Sequence, residues 1–219
     1  MKKQLFLFAL LIAVALLQSS CSQDEPNAPA SDKDKTEGPI LKIGDHEYVD
    51  LGLPSGIKWA TCNIGADTPG QYGDYFNWGG IISNPEYNGS YNLPQISDIS
   101  GNPDYDAARA KWGKTWRTPR TQEIRELINS CNWVWTKLEG VKGFKVTGPN
   151  GKSIFLPAAG HLNNHEKYDN GSYLSSISSL DMYGFYGLSF SMDEIDRKNR
   201  IEISLFVWSG TGRIRPVSD

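Results

Sequence analysis

Two helices and the tight link between them are encoded in one run of sequence, KWGKTWRTPRTQEIRELINSC, which extends from Lys111 to Cys131. Thr118 followed by Pro119 predicts the start of the second helix, because proline suits the first helical position, where no intrahelical N–H bond is lost, and threonine can cap. Apolar side chains then recur at the spacing of one helical face: Ile124, Leu127, Ile128 and Cys131. That face of the helix must be buried.

A shorter helix is predicted just before this link, over residues 104–112. It has three alanines inside and Gly113 at its C-terminal end, where glycine is the preferred residue. Trp112 and Trp116 are a turn apart and are expected to cover the buried end of the second helix. The run therefore points to a fold rather than to a chemistry.

The size and composition of the chain fit one turn-rich domain with a tail. The chain has 219 residues, of which 39% are hydrophobic and 11% aromatic, so it can form a real core, and its 22 glycines and 12 prolines are scattered. Without Lys2 and Lys3, the 22 basic residues become 20 against 25 acidic ones, a net charge of −5. A mildly acidic chain lacks the basic stripe that neutralises phosphates, so no nucleic-acid partner is expected.

The N-terminal part is predicted to direct export and to tether the domain. Residues 1–20 combine two lysines with an apolar run, which is typical of a secretory signal peptide and too short for a membrane span. Cys21 resembles the acylated cysteine of a bacterial lipoprotein, the alternative being an ordinary leader before a free cysteine. Residues 21–39 contain no large apolar side chain and are predicted to be a lipidated N-terminus and a disordered linker, followed by one domain over residues 40–219.

The domain itself is predicted to contain strands, turns and two long loops. Alternation of apolar and polar residues predicts strands over residues 46–51, 56–64, 133–138, 143–147, 153–156, 186–190, 201–208 and 213–217. Residues 65–103 form the first predicted loop. Residues 157–184 form the second, with a possible short strand at 173–177.

Five blocks of the sequence occur in an order that is known from one protein family. They are YVDLGLPSGIKWATCNIG from Tyr48, YGDYFNW from Tyr72, WGKTWRTP from Trp112, IFLPAAG from Ile154 and IRPV from Ile214. Together they resemble the Fibrobacter succinogenes major paralogous domain over residues 45–217. That family is similar in turn to C-type-lectin-like folds and to the formylglycine-generating enzyme superfamily. Arg120 departs from the pattern, since it stands where threonine is usual.

The resemblance implies an α+β, C-type-lectin-like fold. In that plan two short helices pack on a small, twisted, mostly antiparallel sheet, and long loops are inserted before the last strands. The ligand loop would be residues 161–184, which include polar and aromatic ligand-binding candidates: His161, Asn163, Asn164, His165, Tyr168 and Tyr173. The family has no activity that we can assign, so analogy of fold does not supply a function.

Cys62 and Cys131 are expected to form a disulfide. One lies on an early strand and the other on the buried face of the second helix, and disulfides persist in the compartment of an exported domain. The bridge would close a loop of about 70 residues and contribute on the order of 4 kcal/mol. The alternative is two buried free cysteines. Neither is expected to be a catalytic nucleophile, because burial raises the pKa of a thiol.

Motifs for metals, cofactors and catalysis are weak. His161 and His165 are four residues apart, a spacing that can bind zinc on a helix, but their surroundings favour a loop, so neither a metal nor a cofactor is expected. Residues 193–196 lack the glycine and the closing glutamate of a calcium loop. The sequence also lacks a phosphate loop, a dinucleotide fingerprint, a Gly-x-Ser-x-Gly motif and the calcium tripeptides of sugar-binding lectins.

The remaining candidates are aromatic. Tyr72, Tyr75 and Trp78 in the first loop, and Tyr168 and Tyr173 in the second, could stack on a sugar ring or contact a protein if they are exposed. The alternative for each is that it packs its loop onto the sheet. Aromatic composition alone therefore leaves the role of the two loops open.

These features together predict a lipoprotein of the outer membrane, displayed at the cell surface, with a non-catalytic binding or adhesion domain for a glycan or a protein. Asp24 and Glu25 look like the surface-export signal of Bacteroidetes lipoproteins. Two alternatives stay open. An enzyme or modification factor of the formylglycine-generating type would have a titratable cluster or bound metal in a cleft. A structural subunit of a surface assembly would expose a large apolar patch.

Overall fold

Strands outnumber helices in the part of the chain that the structure describes. The computed structural model describes residues 41–84, 94–160, 169–182, 184–193, 198–207 and 211–219, all within the unit Gly38–Asp219, so the predicted leader and linker lie outside the described residues. Helix α1 spans Ala107–Trp112, and helix α2 spans Thr121–Ser130. The described strands are β1 (Leu41–Ile43), β2 (His46–Asp50), β3 (Lys58–Ala60), β4 (Phe76–Asn77), β5 (Asn132–Leu138), β6 (Val141–Thr147), β7 (Ser153–Pro157), β8 (Asn170–Ser179), β9 (Gly184–Asp193), β10 (Lys198–Val207), β11 (Thr211–Gly212) and β12 (Val217–Ser218).

The described strands form four small antiparallel sheets, with the orders β1-β2-β3-β12, β5-β6-β7, β10-β9-β8 and β11-β4. The structure is 45% strand and 10% helical, so the prediction of an α+β, C-type-lectin-like fold with two helices on one sheet is wrong. The physical reason lies in local pairing. The strands β5 to β7 are joined by short turns and pair with one another, and β8 to β10 also pair consecutively, so each group forms its own sheet.

The described part of the predicted ligand loop is largely a strand. Residues 161–168 lie outside the described residues, but β8 continues from residue 170 to residue 179 along β9. The sequence predicts only a possible short strand here, at residues 173–177, within a long polar loop. The serines of β8 are instead buried: Ser172, Ser175 and Ser176. The hydroxyl of Ser175 donates to the carbonyl of Tyr186 at 2.7 Å, so at least this buried polar group is paired.

The apolar face of α2 is buried, as its spacing predicts. Ile124 and Leu127 belong to the main core cluster, and Ile128 and Cys131 pack against that cluster. The helix contacts β8, β9 and β10, which are the longest of the described strands. It therefore connects their sheet to the core. In the described part of the chain, neither helix has the length and the apolar surface that crossing a bilayer requires.

The link between the two helices is held by a buried carboxylate rather than by the predicted cap. Helix α2 begins at Thr121, beyond Thr118, and the carboxylate of Glu123 accepts the N–H of Arg120 at 2.7 Å. The N–H and hydroxyl of Thr118 donate instead to the carboxylate of Asp106, at 2.9 Å and 2.7 Å. Since Asp106 is fully buried and is also the N-cap of α1, one side chain holds both helices.

The predicted disulfide is not formed, because Cys62 and Cys131 are both free thiols. Cys131 follows the last turn of α2 and packs against the main core cluster. Cys62 lies beside Thr61, just after β3, in the electrostatic field of Arg215. The two thiols therefore lie in different surroundings. A position on a strand and a position on a helix face do not show whether two cysteines are close enough to bond.

We expect Cys131 to react slowly with alkylating reagents. Burial, together with the nearby Glu126 carboxylate, raises the pKa of Cys131 to about 11, so only about one thiol in ten thousand is ionised at pH 7. In a variant that carries Cys21→Ser and Cys62→Ser, alkylation should be much slower than that of a cysteine peptide and should accelerate about tenfold per pH unit up to roughly pH 10. A disulfide-linked peptide pair in mass spectra of the wild-type chain would contradict the structure.

Candidate functional site

The tyrosines of the first predicted loop surround a buried arginine. Arg213 is 3% exposed, and its guanidinium carbon lies 3.5 Å from the centre of the Tyr75 ring and 6.0 Å from that of Tyr72. The guanidinium also donates to the carbonyl of Gly73. Burial lowers the pKa of Arg213 to about 10, so the group is still charged at neutral pH. These two rings therefore contact an internal cation.

Three of the predicted ligand-binding aromatics are buried: Tyr75, Trp78 and Tyr173. The indole N–H of Trp78 donates to the carbonyl of Ser175 at 2.8 Å, and the hydroxyl of Tyr173 donates to the carbonyl of Pro157 at 2.8 Å. Burial also raises the pKa of the Tyr173 phenol. These rings pack their segments onto the sheets and present no face to a ligand. Tyr72 alone among the four described candidates is half-buried.

The other predicted site residues lie outside the described residues. They are Cys21, His161, Asn163, Asn164, His165 and Tyr168. Their roles in lipid anchoring and ligand binding stay predictions.

A groove of about 370 Å³ opens on sheet β5-β6-β7. Its volume falls in the range of small-molecule sites, about 300–1,000 Å³. Thr61 and Pro69 line it from outside the sheet. The residues that line it from the sheet are Thr136, Lys137, Leu138, Lys145, Ser153, Ile154 and Phe155. Of the described residues that line the groove, none is acidic, and its surface combines apolar side chains with hydroxyl groups and two lysines.

The register of two hairpins places Thr136, Lys145 and Phe155 on one face. Glu139 and Gly140 join β5 to β6 with φ angles of 51° and 87°, the left-handed geometry of a two-residue hairpin turn. The β6–β7 ladder sets Lys145 opposite Phe155, and directly opposed residues share a face. Phe144, the neighbour of Lys145, points into the core. Lys145 and Phe155 therefore lie on the face that points away from the core.

A glycine next to the groove makes room for the ring of Phe155. A Cβ atom at Gly143 would lie 2.7 Å from the tip of that ring and 2.3 Å from the carbonyl oxygen of Leu156. Any side chain at Gly143 would therefore displace Phe155. The ring rests against the bare backbone, where it is 7% exposed.

Arg215 lies beneath the groove and joins its two sides. Its guanidinium is fully buried and donates to the carbonyls of Thr61 at 2.5 Å, Ala60 at 3.1 Å and Phe155 at 2.8 Å, and to Oδ1 of Asn63 at 2.8 Å. Thr61 and Phe155 both line the groove. Burial lowers the pKa of Arg215. None of the ion pairs among the described residues includes this arginine.

The strongest ion pair is structural. Arg117 donates to both carboxylate oxygens of Glu123, at 2.9 Å and 2.7 Å, and to Oδ1 of Asp219 at 2.6 Å. These contacts tie the link before α2 to the last described residue of the chain, and they hold the pKa of Asp219 below its usual value. Over the described ranges, no group of three or more His, Cys, Asp or Glu side chains could hold a metal ion.

His46 forms an aromatic cluster with the two predicted tryptophan lids. Its ring stacks on Trp112 with centroids 3.7 Å apart and an interplanar angle of 7°. Trp116 meets both rings edge-on, at 6.4 Å and 5.2 Å, and its indole N–H donates to the carbonyl of Ile43 at 2.9 Å. Burial lowers the pKa of His46, although the carboxylate of Asp45 opposes the shift. The tryptophans therefore cover α1 and the first strands rather than the end of α2.

This cluster predicts a loss of stability in mild acid. The unfolded chain binds a proton at His46 more readily than the folded one, so the free energy of unfolding should be highest above the unfolded pKa, about 6.5, and fall as the pH drops below it. Denaturant titrations at pH 7.5 and pH 5 should show this fall in the wild type and a smaller one in His46→Phe. Equal pH dependence in both proteins would rule out a role for His46. Asp98 and Asp219 have lowered pKa values, so their protonation changes the free energy of unfolding at lower pH than that of His46.

The groove was not among the sequence predictions, although one signal for it exists. The turn glycines at residues 140 and 151 fix where each hairpin closes, and counting back along the strands from them places Lys145 opposite Phe155. Without that register, an exposed lysine on an alternating strand does not by itself indicate a binding site. The contribution of Thr61 and Pro69 depends on a contact between distant parts of the chain, which alternation does not encode.

Comparison with known proteins adds no relative to this description. No protein-family model matches the chain, and searches of curated proteins and of solved structures likewise give no match.

Proposed function

We propose that this chain is a lipid-anchored protein of the cell surface whose folded unit binds a glycan or a protein without catalysing a reaction. The observation that carries the proposal is the groove on sheet β5-β6-β7. Its apolar residues, with a small number of polar groups around them, are the composition of a ligand site. Anchoring through Cys21 and display at the surface rest on the sequence, through the lipobox-like cysteine and the acidic residues after it.

The polar groups of the groove suit recognition. Thr61, Thr136 and Ser153 bring hydroxyl groups that can donate and accept hydrogen bonds, and Lys145 brings a charged donor. The buried carboxylate of Asp106 is instead occupied by N–H and hydroxyl donors of its own chain. Such a saturated group holds the fold and is not placed to exchange protons with a ligand. These contacts favour binding over catalysis.

Filling the groove should abolish binding on a glycan and protein array. Thr136→Trp on β5 would place an indole in the groove, whereas Met182→Trp places one at an exposed position, 57% accessible, in the turn between β8 and β9. Full-length chain in detergent should bind a subset of ligands as wild type and as Met182→Trp, and should lose them as Thr136→Trp. Binding that survives Thr136→Trp, or an array without any signal, would contradict the proposal.

A structural subunit is the second candidate, and it is favoured by the edge strand β10. No described strand pairs with the outer edge of β10, which is ten residues long, and such an edge is a template for another strand. Arg200 and Glu202 are both exposed on it. If two copies paired antiparallel about Ile201, each Arg200 would lie opposite the Glu202 of the other copy, as an isologous contact requires.

This second candidate predicts self-association that depends on charge. Sedimentation of the full-length chain in detergent should show a dimer that is weakened by Arg200→Glu and restored when Glu202→Arg is added, because the exchange rebuilds both pairs. A monomer at all concentrations would exclude pairing through β10. A dimer that is indifferent to both variants would place the contact elsewhere.

A further inference from the structure

We propose that the groove on sheet β5-β6-β7 takes a ring compound that carries a carboxylate, with the ring on the apolar lining of Pro69, Leu138 and the small exposed part of Phe155, and the carboxylate at Lys145. The inference rests on the proposed binding function and narrows its ligand class. Two sources share this chemistry: an acidic sugar of a glycan and an aromatic acid.

The positive charge at the groove favours an anionic ligand. Lys145 lines it and belongs to no ion pair among the described residues. The guanidinium of Arg215 adds a second positive charge beneath it and is hydrogen-bonded to carbonyl and amide oxygens. Since no acidic residue among the described ones lines the groove, these charges add where a ligand would lie. An anionic ligand is therefore favoured over a neutral one of the same shape.

The position of the charge relative to the apolar surface defines the shape of the ligand. Lys145 and Phe155 are directly opposed residues of the β6–β7 ladder, so their Cβ atoms are about 4.5–5.5 Å apart. A carboxylate attached directly to a ring spans such a distance, with the ring on the apolar side chains. Leu138 and Pro69 extend the apolar surface, and Thr136 and Ser153 supply hydroxyl groups near it. A simple anion without a ring would leave this surface uncovered.

Two matched pairs of small compounds test the inference. D-Glucuronate and D-glucuronamide differ in charge at nearly constant shape, as do benzoate and benzamide. Each is titrated into the isotope-labelled full-length chain in detergent micelles, and backbone amide shifts are followed by NMR. Lys145→Gln removes the proposed contact. Lys198→Gln removes an exposed lysine on β10, in another sheet, and serves as the charge-matched control.

We expect at least one carboxylate to shift amides of β5, β6 and β7 and to bind about threefold to fivefold more tightly than its amide, the effect of one exposed ion pair. Lys145→Gln should reduce the carboxylate to the affinity of the amide and leave the amide unchanged. Lys198→Gln should change neither affinity. The compound pair with the larger difference identifies the source, acidic sugar or aromatic acid.

Three results would overturn the inference, and they separate it from the proposed function. If carboxylates and amides bound the groove equally, or if Lys145→Gln left the preference intact, the groove would be a binding site without the proposed anion contact. If acetate shifted the same amides as strongly as the ring acids, the ring would be irrelevant. If no compound shifted the amides of the groove, the inference would fail, and the proposed function would fail with it only if Thr136→Trp also left array binding intact.

Discussion

Replacing Asp106 by alanine is expected to lower the free energy of unfolding by about 3–5 kcal/mol, because several buried N–H groups would lose their acceptor and each such loss costs about 1–3 kcal/mol. The carboxylate of Asp106 accepts from the N–H groups of Gly101 at 2.7 Å, Ala108 at 3.0 Å and Thr118 at 2.9 Å, and from the hydroxyl of Thr118 at 2.7 Å. It therefore joins α1 to the segment that leads into α2. The substitution Asp106→Asn keeps one acceptor oxygen in place and should give an intermediate loss.

Denaturant unfolding measures this change, with Asp104→Ala as the control. Asp104 is exposed two residues earlier, and its replacement should change the free energy of unfolding by less than about 0.5 kcal/mol. A loss in Asp106→Ala as small as that in the control would show that the helix pair does not depend on this carboxylate.

Replacing Arg215 by methionine is the second large effect that we expect. Methionine approximates the stem of arginine but cannot donate, so three carbonyl oxygens and the amide oxygen of Asn63 would be left without this buried donor. The expected loss is about 2–4 kcal/mol, smaller than the sum of four separate bonds because a carbonyl with a second lone pair tolerates the loss better than an N–H group.

The matched control for Arg215→Met is Arg125→Met. Arg125 is exposed on α2, so its replacement should be nearly neutral. Circular dichroism during thermal unfolding distinguishes the two, since only Arg215→Met should lower the melting temperature clearly. A melting temperature for Arg215→Met that equals the wild type would mean that β3 and β7 are held together by apolar packing alone.

Local sequence patterns predicted the helices and strands of this protein much better than they predicted which of these elements contact one another. The face of α2 was predicted because the spacing of Ile124 and Leu127 depends only on the helix itself, and both side chains are in the core. The strands β5 and β6 were predicted for a similar reason, because the alternation of apolar and polar residues depends only on the strand itself. The sequence did not predict that Asp106 bonds both to Thr118 and to the start of α1. A buried polar contact between separate segments does not appear as a periodic pattern in the sequence.

The errors at the level of the fold have a common physical cause. A resemblance in blocks such as the one from Trp112 to Pro119 indicated two helices on one sheet, but the strands pair in four separate sheets, and pairing depends on neighbours that the blocks do not specify. The polar segment that contains β8 was predicted to be mostly loop, although three of its serines are buried in the sheet. The disulfide between Cys62 and Cys131 was inferred from compartment and face, neither of which fixes a distance.

The candidate site shows the same limit. Tyr75, Trp78 and Tyr173 were plausible ligand residues by composition, yet their polar atoms and rings are used inside the protein, by Arg213 and by backbone carbonyls. The groove residues that carry the proposal are ordinary in sequence. Their meaning comes from the register that sets Lys145 beside Phe155 and from the buried charge of Arg215 below them.

A crystal structure of the chain with D-glucuronate or benzoate, whichever binds more tightly, would show where a ring acid binds. We predict ligand density in the groove on sheet β5-β6-β7, with the ring on the apolar lining of Pro69, Leu138 and Phe155 and a carboxylate oxygen within hydrogen-bonding distance of Nζ of Lys145. A ligand bound elsewhere, for example beside Tyr72, or a carboxylate that points away from Lys145 into solvent, would contradict it.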